Sequence, residues 1–228
     1  SKKEHIVKVI SIIAEKGGSG KSTLAWNLAI SLDNMKKYRV LLLDADAKQQ
    51  SLWRVADVFR DADTPTVNQA NSGNIDDKIA EAEELGFTHI IIDTPPHVGS
   101  VVEKAIQVSD LVLAPLRVSA LDALSFSDTY EVIMKNKRAD AKAFSVLTFA
   151  SRSKATVAEF QEFLISSCPE LPEVPVVIFE RTAHRDAMQA GLGITETRDL
   201  RSLKARSEIQ KLTKFIERKQ NKWPRRAS

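Results

Sequence analysis

The stretch that decides the fold reads Lys16-Gly17-Gly18-Ser19-Gly20-Lys21-Ser22-Thr23. It lies between an apolar run at residues 7–14 and a largely apolar segment of helical periodicity at residues 21–33. Glycines let the backbone come close to phosphate oxygens, and the first turn of a helix presents free N–H groups to an anion. The flanking strand and helix favour a phosphate-binding loop over a glycine-rich turn without a ligand.

This loop also offers the side chains that a triphosphate and its metal ion need. Lys21 can reach the terminal phosphates, and Ser22 carries a hydroxyl that can ligate Mg²⁺. Thr23 falls in the first turn of the following helix, near the α-phosphate. These residue types at this spacing predict that the chain binds MgATP.

Carboxylates follow two further apolar runs. Residues 40–44 end in Asp44, with Asp46 two positions later, and residues 90–93 end in Asp93. Ligands of an open parallel sheet bind beyond the carboxyl ends of its strands, so these side chains are expected beside the glycine-rich loop. For each aspartate the alternative is a helix cap or a turn residue.

The rest of the chain predicts one α/β domain with a mostly parallel twisted sheet and helices on both faces. Its 228 residues, 43% of them hydrophobic, suffice for one core. Six continuous apolar runs predict strands at 7–14, 40–44, 90–93, 111–115, 145–150 and 176–179. Helices are expected at 21–33, 51–59, 75–85, 101–108, 120–137, 154–167, 185–190 and 200–218. Residues 61–73 are expected to form a loop, and residues 1–5 and 220–228 to be flexible.

One lysine makes the glycine-rich loop unusual. The common pattern G-x-x-x-x-G-K-[ST] would need glycine at position 15, where this chain has Glu15, and Lys16 follows at once. This arrangement resembles the deviant Walker ATPases of the ParA/MinD family, in which the extra lysine is called the signature lysine. The runs LLLDAD at 41–46 and IIIDTPP at 90–96 resemble the family's two acidic motifs. Motif order and spacing agree with the family from about residue 7 to residue 115.

The resemblance implies that ATP is sandwiched between two copies of the chain. Lys16 would reach the partner's nucleotide, whereas Lys21 would neutralise charge in its own subunit. Asp44 would support the magnesium shell, Asp46 would orient the attacking water, and Asp93 would hold Mg²⁺ through a water. The expected catalytic residues are thus Lys16, Lys21 and Asp46. The expected metal-site residues are Ser22, Asp44 and Asp93. The expected nucleotide-binding residues are Lys16, Gly17, Gly18, Ser19, Gly20, Lys21, Ser22, Thr23 and Arg181.

Some positions depart from the family or leave alternatives open. The family often continues with Pro-Gln after the second aspartate, where this chain has Ala47-Lys48-Gln49-Gln50. Arg181 can stack on a purine or form a salt bridge. His97, in the turn expected to sense the γ-phosphate, is interpreted as a solvent-facing residue rather than a general base.

The charge distribution points to a polyanion. Net charge is only +3, but from Arg198 onward eleven Lys or Arg stand against three Asp or Glu. An apolar stripe from residue 200 would pack on the sheet and leave Lys204, Arg206, Lys211 and Lys214 facing solvent. Such cations can bind duplex DNA without sequence preference. The alternatives are a solvated basic face and a MinD-like membrane-binding helix.

ParA-like members of the family segregate plasmids or position large cargoes, which implies a cytoplasmic, nucleoid-associated protein of bacteria or archaea. They hydrolyse ATP slowly and are stimulated by an adaptor of the ParB type. Cys168 alone cannot form an internal disulfide or supply the cluster ligands of nitrogenase-type iron proteins. No stretch approaches the roughly 20 apolar residues of a spanning helix. A P-loop kinase or ligase acting on a small molecule is the remaining alternative.

Overall fold

Seven parallel strands form one sheet in the computed structural model, which describes residues 7–150 and 154–220. Their order across the sheet is β3-β2-β4-β1-β5-β6-β7. The strands are β1 (Lys8–Ile12), β2 (Val40–Asp44), β3 (Thr66–Gln69), β4 (His89–Asp93), β5 (Leu111–Arg117), β6 (Lys142–Ala150) and β7 (Ile178–Phe179). This confirms the predicted α/β domain with a parallel sheet.

Helices cover both faces of the sheet. They are α1 (Lys21–Asp33), α2 (Ser51–Phe59), α3 (Ile75–Glu84), α4 (Ser100–Val108), α5 (Ala120–Asn136), α6 (Lys154–Ser167), α7 (Thr182–Gln189) and α8 (Leu203–Gln220), with a 3₁₀ turn at Ile194–Glu196. Apolar residues of α3 to α6 share one hydrophobic cluster, and those of α1, α2, α7 and α8 share the other. The central strands therefore need apolar side chains on both of their faces.

The central strands show this directly. In β4, Ile90 and Ile92 join the cluster under α3 to α6, whereas Ile91 joins the cluster under α1 and α8. All three side chains are fully buried. Because successive strand residues point to opposite faces, a strand covered on both sides reads as a continuous apolar run.

The sheet order brings the predicted polar clusters to one edge. Strands β2, β4 and β1 are neighbours, and Asp93 pairs in register with Asp44 on one side and with Ile12 on the other. The glycine-rich loop follows Ile12 directly. The expectation that the three clusters meet at the carboxyl ends of adjacent strands is confirmed.

The expected loop at residues 61–73 contains a strand instead. Thr66–Gln69 pairs with β2 alone and forms the edge of the sheet. Its sequence TVNQ has no apolar run, because an edge strand lacks full cover, so the apolar pattern did not reveal it. Smaller differences concern α7, which starts at Thr182 rather than residue 185, and α8, which starts at Leu203 rather than residue 200.

The prediction that Gln220 is flexible is wrong. This residue ends α8 and is buried, and its Oε1 lies 2.6 Å from Nε2 of His89. Its side-chain nitrogen also donates to the hydroxyl of Tyr38 at 2.6 Å. These long-range bonds fasten the end of α8 to the sheet. Residues 1–5 and 221–228, also expected to be flexible, lie outside the described residues.

A second fastening joins the end of α2 to the segment before α8. The Arg60 guanidinium donates to the carbonyl of Gly191 at 2.8 Å and to the Glu196 carboxylate at 2.9 Å. Gly191 has φ +68°, and a Cβ at this position would lie 2.0 Å from the Phe59 carbonyl oxygen. Only glycine fits this contact.

We predict that Gly191→Ala destabilises the protein by roughly 3 kcal/mol or more, because it combines left-handed backbone strain with a backbone clash. Gly86→Ala is the matched control: Gly86 has φ +76° and open space around it. It should cost only about 1–2 kcal/mol. Urea unfolding of both variants measures the difference, and equal losses would contradict the packing account.

Candidate active site

The glycine-rich loop leaves the amino terminus of α1 open to an anion. Gly18 and Gly20 have φ +77° and +91°, in the left-handed region that favours glycine. Gly20 is the N-cap residue and offers no side chain to cap the helix, and within residues 7–150 and 154–220 no side chain is seen to bond its first N–H groups. Free N–H groups and the positive end of the helix dipole together form an anion-binding site.

A cavity of about 230 Å³ lies over this loop. Its lining includes six of the residues predicted to bind nucleotide: Gly17, Gly18, Gly20, Lys21, Ser22 and Thr23. Asp46 and Thr94 complete the opposite side. The predicted Ser19 is buried elsewhere, and its carbonyl accepts a hydrogen bond from the Thr148 hydroxyl at 2.8 Å.

Lys21 is held inside the site. Its side chain is buried, and Nζ donates to the carbonyl of Lys16 at 3.3 Å. Burial lowers the pKa of Lys21, and the nearby carboxylates of Asp93 and Asp46 oppose this shift. The cation therefore faces the acidic side of the cavity, where a phosphate would replace part of the missing solvation.

Asp93 is the most strongly perturbed acid of the site. Burial raises its pKa to about 7, although a hydrogen bond from the Ser22 hydroxyl acts in the opposite direction. Its Oδ1 is buried and has no hydrogen-bond partner among the described residues. A buried carboxylate oxygen without a partner, beside a serine hydroxyl, fits the donor set that Mg²⁺ uses together with phosphates and water. Ser22 and Asp93 are the residues that would hold the ion on this side.

Asp44 and Asp46 both take part in backbone contacts. Oδ2 of Asp44 accepts from the N–H groups of Leu52 and Trp53 at 2.9 and 3.0 Å, so Asp44 caps α2. Asp46 accepts from the N–H of Lys48 at 3.2 Å and lies half-buried on the cavity wall. The cap alternative is thus observed for Asp44 and the turn alternative for Asp46. Their hydrogen bonds connect α2 to the acidic side of the cavity.

Lys16 is not among the described residues that line the cavity over the loop. Its Nζ lies 2.8 Å from Oδ1 of Asp122 in the first turn of α5. Burial alone would raise the pKa of Asp122, but the bonds from Lys16 and Ser119 lower it overall. The sequence analysis did not identify Asp122. The Ser-x-x-Asp pattern that begins at Ser119 is a helix-start signal, and it predicts Asp122 in the first turn of a helix.

A larger cavity of about 450 Å³ adjoins the loop at Gly18 and Thr23. Phe149 lies between the two cavities and lines both. It has φ +47°, and a Cβ on Gly20 would lie 2.6 Å from its ring, so Gly20 also leaves room for this aromatic side chain. Arg181 lines the larger cavity while it forms a 2.6 Å ion pair with Glu208, so the salt-bridge alternative for Arg181 is observed.

The turn after β4 is fixed to the glycine-rich loop. The Thr94 hydroxyl donates to the carbonyl of Ile12 at 2.7 Å, and the N–H of His97 donates to the carbonyl of Glu15 at 2.9 Å. The side chain of His97 is exposed, as predicted. This turn is therefore hydrogen-bonded to the end of β1 and to the residue before Lys16.

The predicted basic face of α8 is only partly exposed. Lys204, Lys211 and Lys214 are exposed. The expectation for Arg206 is wrong, because it is half-buried and donates to the carbonyls of Thr197 and Asp199 at 2.8 and 3.0 Å. Arg206 holds the chain that leads into α8.

Comparison with known proteins is consistent with this geometry. The model of the CobQ/CobB/MinD/ParA nucleotide binding domain matches residues 10–194. The chain belongs to the ParA/MinD family of P-loop ATPases.

Relatives span most of the chain. It is 30% identical over 190 residues to Protein ParA of Rhizobium radiobacter, covering 80% of this chain and 83% of that protein. It is 25% identical over 215 residues to the maintenance of carboxysome distribution protein A of Gloeobacter kilaueensis, covering 92% and 94%. An ATP complex of a McdA variant from Cyanothece shares the fold, with a TM-score of 0.67 at 17% identity, over 93% of this chain and 97% of that one.

The perturbed acid gives a pH-dependent prediction for the nucleotide-free protein. Burial raises the pKa of Asp93 to about 7 in the folded state, above the ordinary value of an aspartate. Between about pH 4 and 7 the folded state therefore binds more protons than the unfolded state, and the protein loses stability as the pH rises through this range. The substitution Asp93→Asn removes the titratable carboxylate, and with it this pH-dependent loss of stability. In EDTA the variant should be about 1–3 kcal/mol more stable than wild type at pH 8, with a smaller gain at pH 5. Denaturant unfolding at both pH values tests this, and a gain independent of pH would contradict it.

Proposed function

We propose that two copies of this chain sandwich MgATP and hydrolyse it slowly, as a partition or positioning ATPase of the ParA type. The observation that carries the proposal is the opposite placement of the two lysines of the loop. Lys21 is buried and lines this cavity, whereas the Lys16 side chain is 45% exposed and pairs with Asp122 instead. A lysine so placed is available to a nucleotide on a second copy.

The chemistry follows from the acidic side of the cavity. Bound MgATP supplies the phosphoanhydride and the metal charge, and Ser22, Asp44 and Asp93 would hold the metal side. Asp46, half-buried on the cavity wall, is proposed to orient the attacking water. Negative charge spreads over the transferred phosphoryl group, so Lys21 and the partner's copy of Lys16 would stabilise it electrostatically.

The proposed matrix is duplex DNA, bound through the exposed lysines of α8. Lys204 and Lys211 are seven residues apart, which places them on one side of the helix about 10 Å apart, and Lys214 lies one turn further on. Phosphate contacts of this kind give affinity without sequence preference. A dimer would present the set twice.

An adaptor of the ParB type is proposed to stimulate hydrolysis and release the dimer. The cargo is proposed to be plasmid DNA or a large assembly, since the relatives include Protein ParA and a carboxysome distribution protein. A cytoplasmic, nucleoid-associated location in a bacterium or archaeon accompanies this proposal. Within residues 7–150 and 154–220, no helix has the length and apolar character to cross a membrane.

We predict that Lys204→Ala/Lys211→Ala weakens ATP-dependent binding to nonspecific duplex DNA roughly tenfold, and lowers the salt slope by about one per lost phosphate contact. Lys135→Ala/Lys142→Ala is the matched control. It removes the same charge from exposed positions on α5 and at the start of β6. Fluorescence anisotropy across a salt series measures both variants.

Equal losses in the two variants would show that net charge, rather than the α8 surface, attracts DNA. Anionic vesicles in the same assay test the MinD-like alternative: ATP-dependent binding to vesicles but not to DNA would overturn the DNA assignment. Dependence of ATP turnover on an added metabolite would instead favour a kinase or ligase.

A further inference from the structure

Two residues that line the larger cavity, Arg181 and His184, carry buried nitrogen atoms that bond no other described residue. Both ring nitrogens of His184 and Nε of Arg181 are buried and without a hydrogen-bond partner among the described residues. His184 lies in the first turn of α7, and only 2% of it is exposed. Leaving a buried donor or acceptor unsatisfied destabilises the fold, so native proteins rarely keep several together without a ligand.

These atoms do not complete a structural network. Arg181 already uses Nη2 for its ion pair with Glu208, which leaves Nε for another acceptor. The backbone N–H of His184 donates to the Arg181 carbonyl at 3.3 Å, so one turn carries both side chains. Burial, with the Arg181 charge nearby, lowers the pKa of His184 to about 4. The imidazole is therefore neutral at pH 7 and has one donor and one acceptor nitrogen.

The position of this wall relative to the loop indicates what it contacts. The cavity shares Gly18 and Thr23 with the phosphate site, and its lining also includes the apolar side chains of Val55 and Met188. A nucleotide whose phosphates occupy the loop can extend its base only into a cavity that adjoins it. The cavity thus offers a purine an apolar surface and one polar wall.

We propose that His184 is a specificity-determining residue that accepts a hydrogen bond from the exocyclic amino group of adenine, while Nε of Arg181 donates to a ring nitrogen of the same base. The donors and acceptors match. Arg181 can only donate, so it pairs with a ring nitrogen that has a lone pair, and the remaining adenine group on that edge is a donor that needs an acceptor. This inference rests on the nucleotide binding of the proposed function.

A chemical double-mutant cycle tests the pairing. Calorimetry measures the affinity of wild type and His184→Leu for ATP and for purine riboside triphosphate, which carries hydrogen in place of the amino group. Wild type should prefer ATP by roughly five- to tenfold, the size of one hydrogen bond, and His184→Leu should bind both equally. An unchanged preference for ATP in His184→Leu would overturn the proposal.

Two further variants separate recognition from folding. His184→Leu removes both unpartnered nitrogens, so the nucleotide-free variant should melt no lower than wild type; a lower melting temperature would indicate a structural histidine. Glu180→Ala removes an exposed carboxylate on the same cavity, with both of its acceptor oxygens, and should leave the preference for the amino group intact. If Glu180→Ala abolishes the preference instead, the acceptor is Glu180 and the assignment to His184 fails.

ATP-dependent dimerisation, followed by light scattering in the same samples, keeps this inference apart from the proposed function. Dimerisation of wild type without a preference for the amino group overturns only the role of His184. Failure of wild type to bind either nucleotide overturns both.

Discussion

A phosphate-binding loop works only if the first N–H groups of its helix are left without partners inside the protein. Gly20 meets this constraint because it begins α1 without a capping side chain. The surrounding fold supports that open end. Strand β1 pairs with β4, and β4 pairs with β2. These pairings place Asp93 and Asp44 at the same edge of the sheet as the loop that follows β1. The site is therefore a consequence of sheet order as much as of the loop itself.

The same side of the sheet carries the cavity and the basic helix. Asp44 caps α2, and Arg60, directly after α2, bonds Gly191 and Glu196. Arg206 in turn bonds the backbone leading into α8. These contacts connect the acidic side of the cavity to the helix proposed to bind DNA. The half-buried pairs among them gain strength from geometry and hydrogen bonding rather than from charge alone.

Local patterns were sufficient for most of the fold. Continuous apolar runs predict strands covered on both sides, and the motifs after them predict the phosphate site, because both signals lie within a few residues of the chain. The strand Thr66–Gln69 has no such signal, since an edge strand is only partly buried. The helix bounds at Lys21–Asp33 and Ser51–Phe59 agree with the prediction.

The features that sequence reasoning missed depend on distant contacts. Lys16 meets Asp122, and Gln220 meets His89, across more than a hundred residues. The unpartnered nitrogens of His184 can be interpreted only beside a cavity whose other walls come from the glycine-rich loop, α2, β5 and β6. Nothing in the residues around these positions indicates their partners, so the three-dimensional fold is needed to find them.

The central claim is that Lys16 acts on the nucleotide of a second copy. The most direct test mixes two variants, Lys16→Ala and Asp46→Ala, each expected to be nearly inactive alone. In a mixed dimer one site combines the intact Asp46 of one copy with the intact Lys16 of the other. The account predicts that the mixture regains about a quarter of wild-type ATP turnover, since half of the dimers are mixed and each has one complete site. A mixture as inactive as its components would show that Lys16 acts within its own chain.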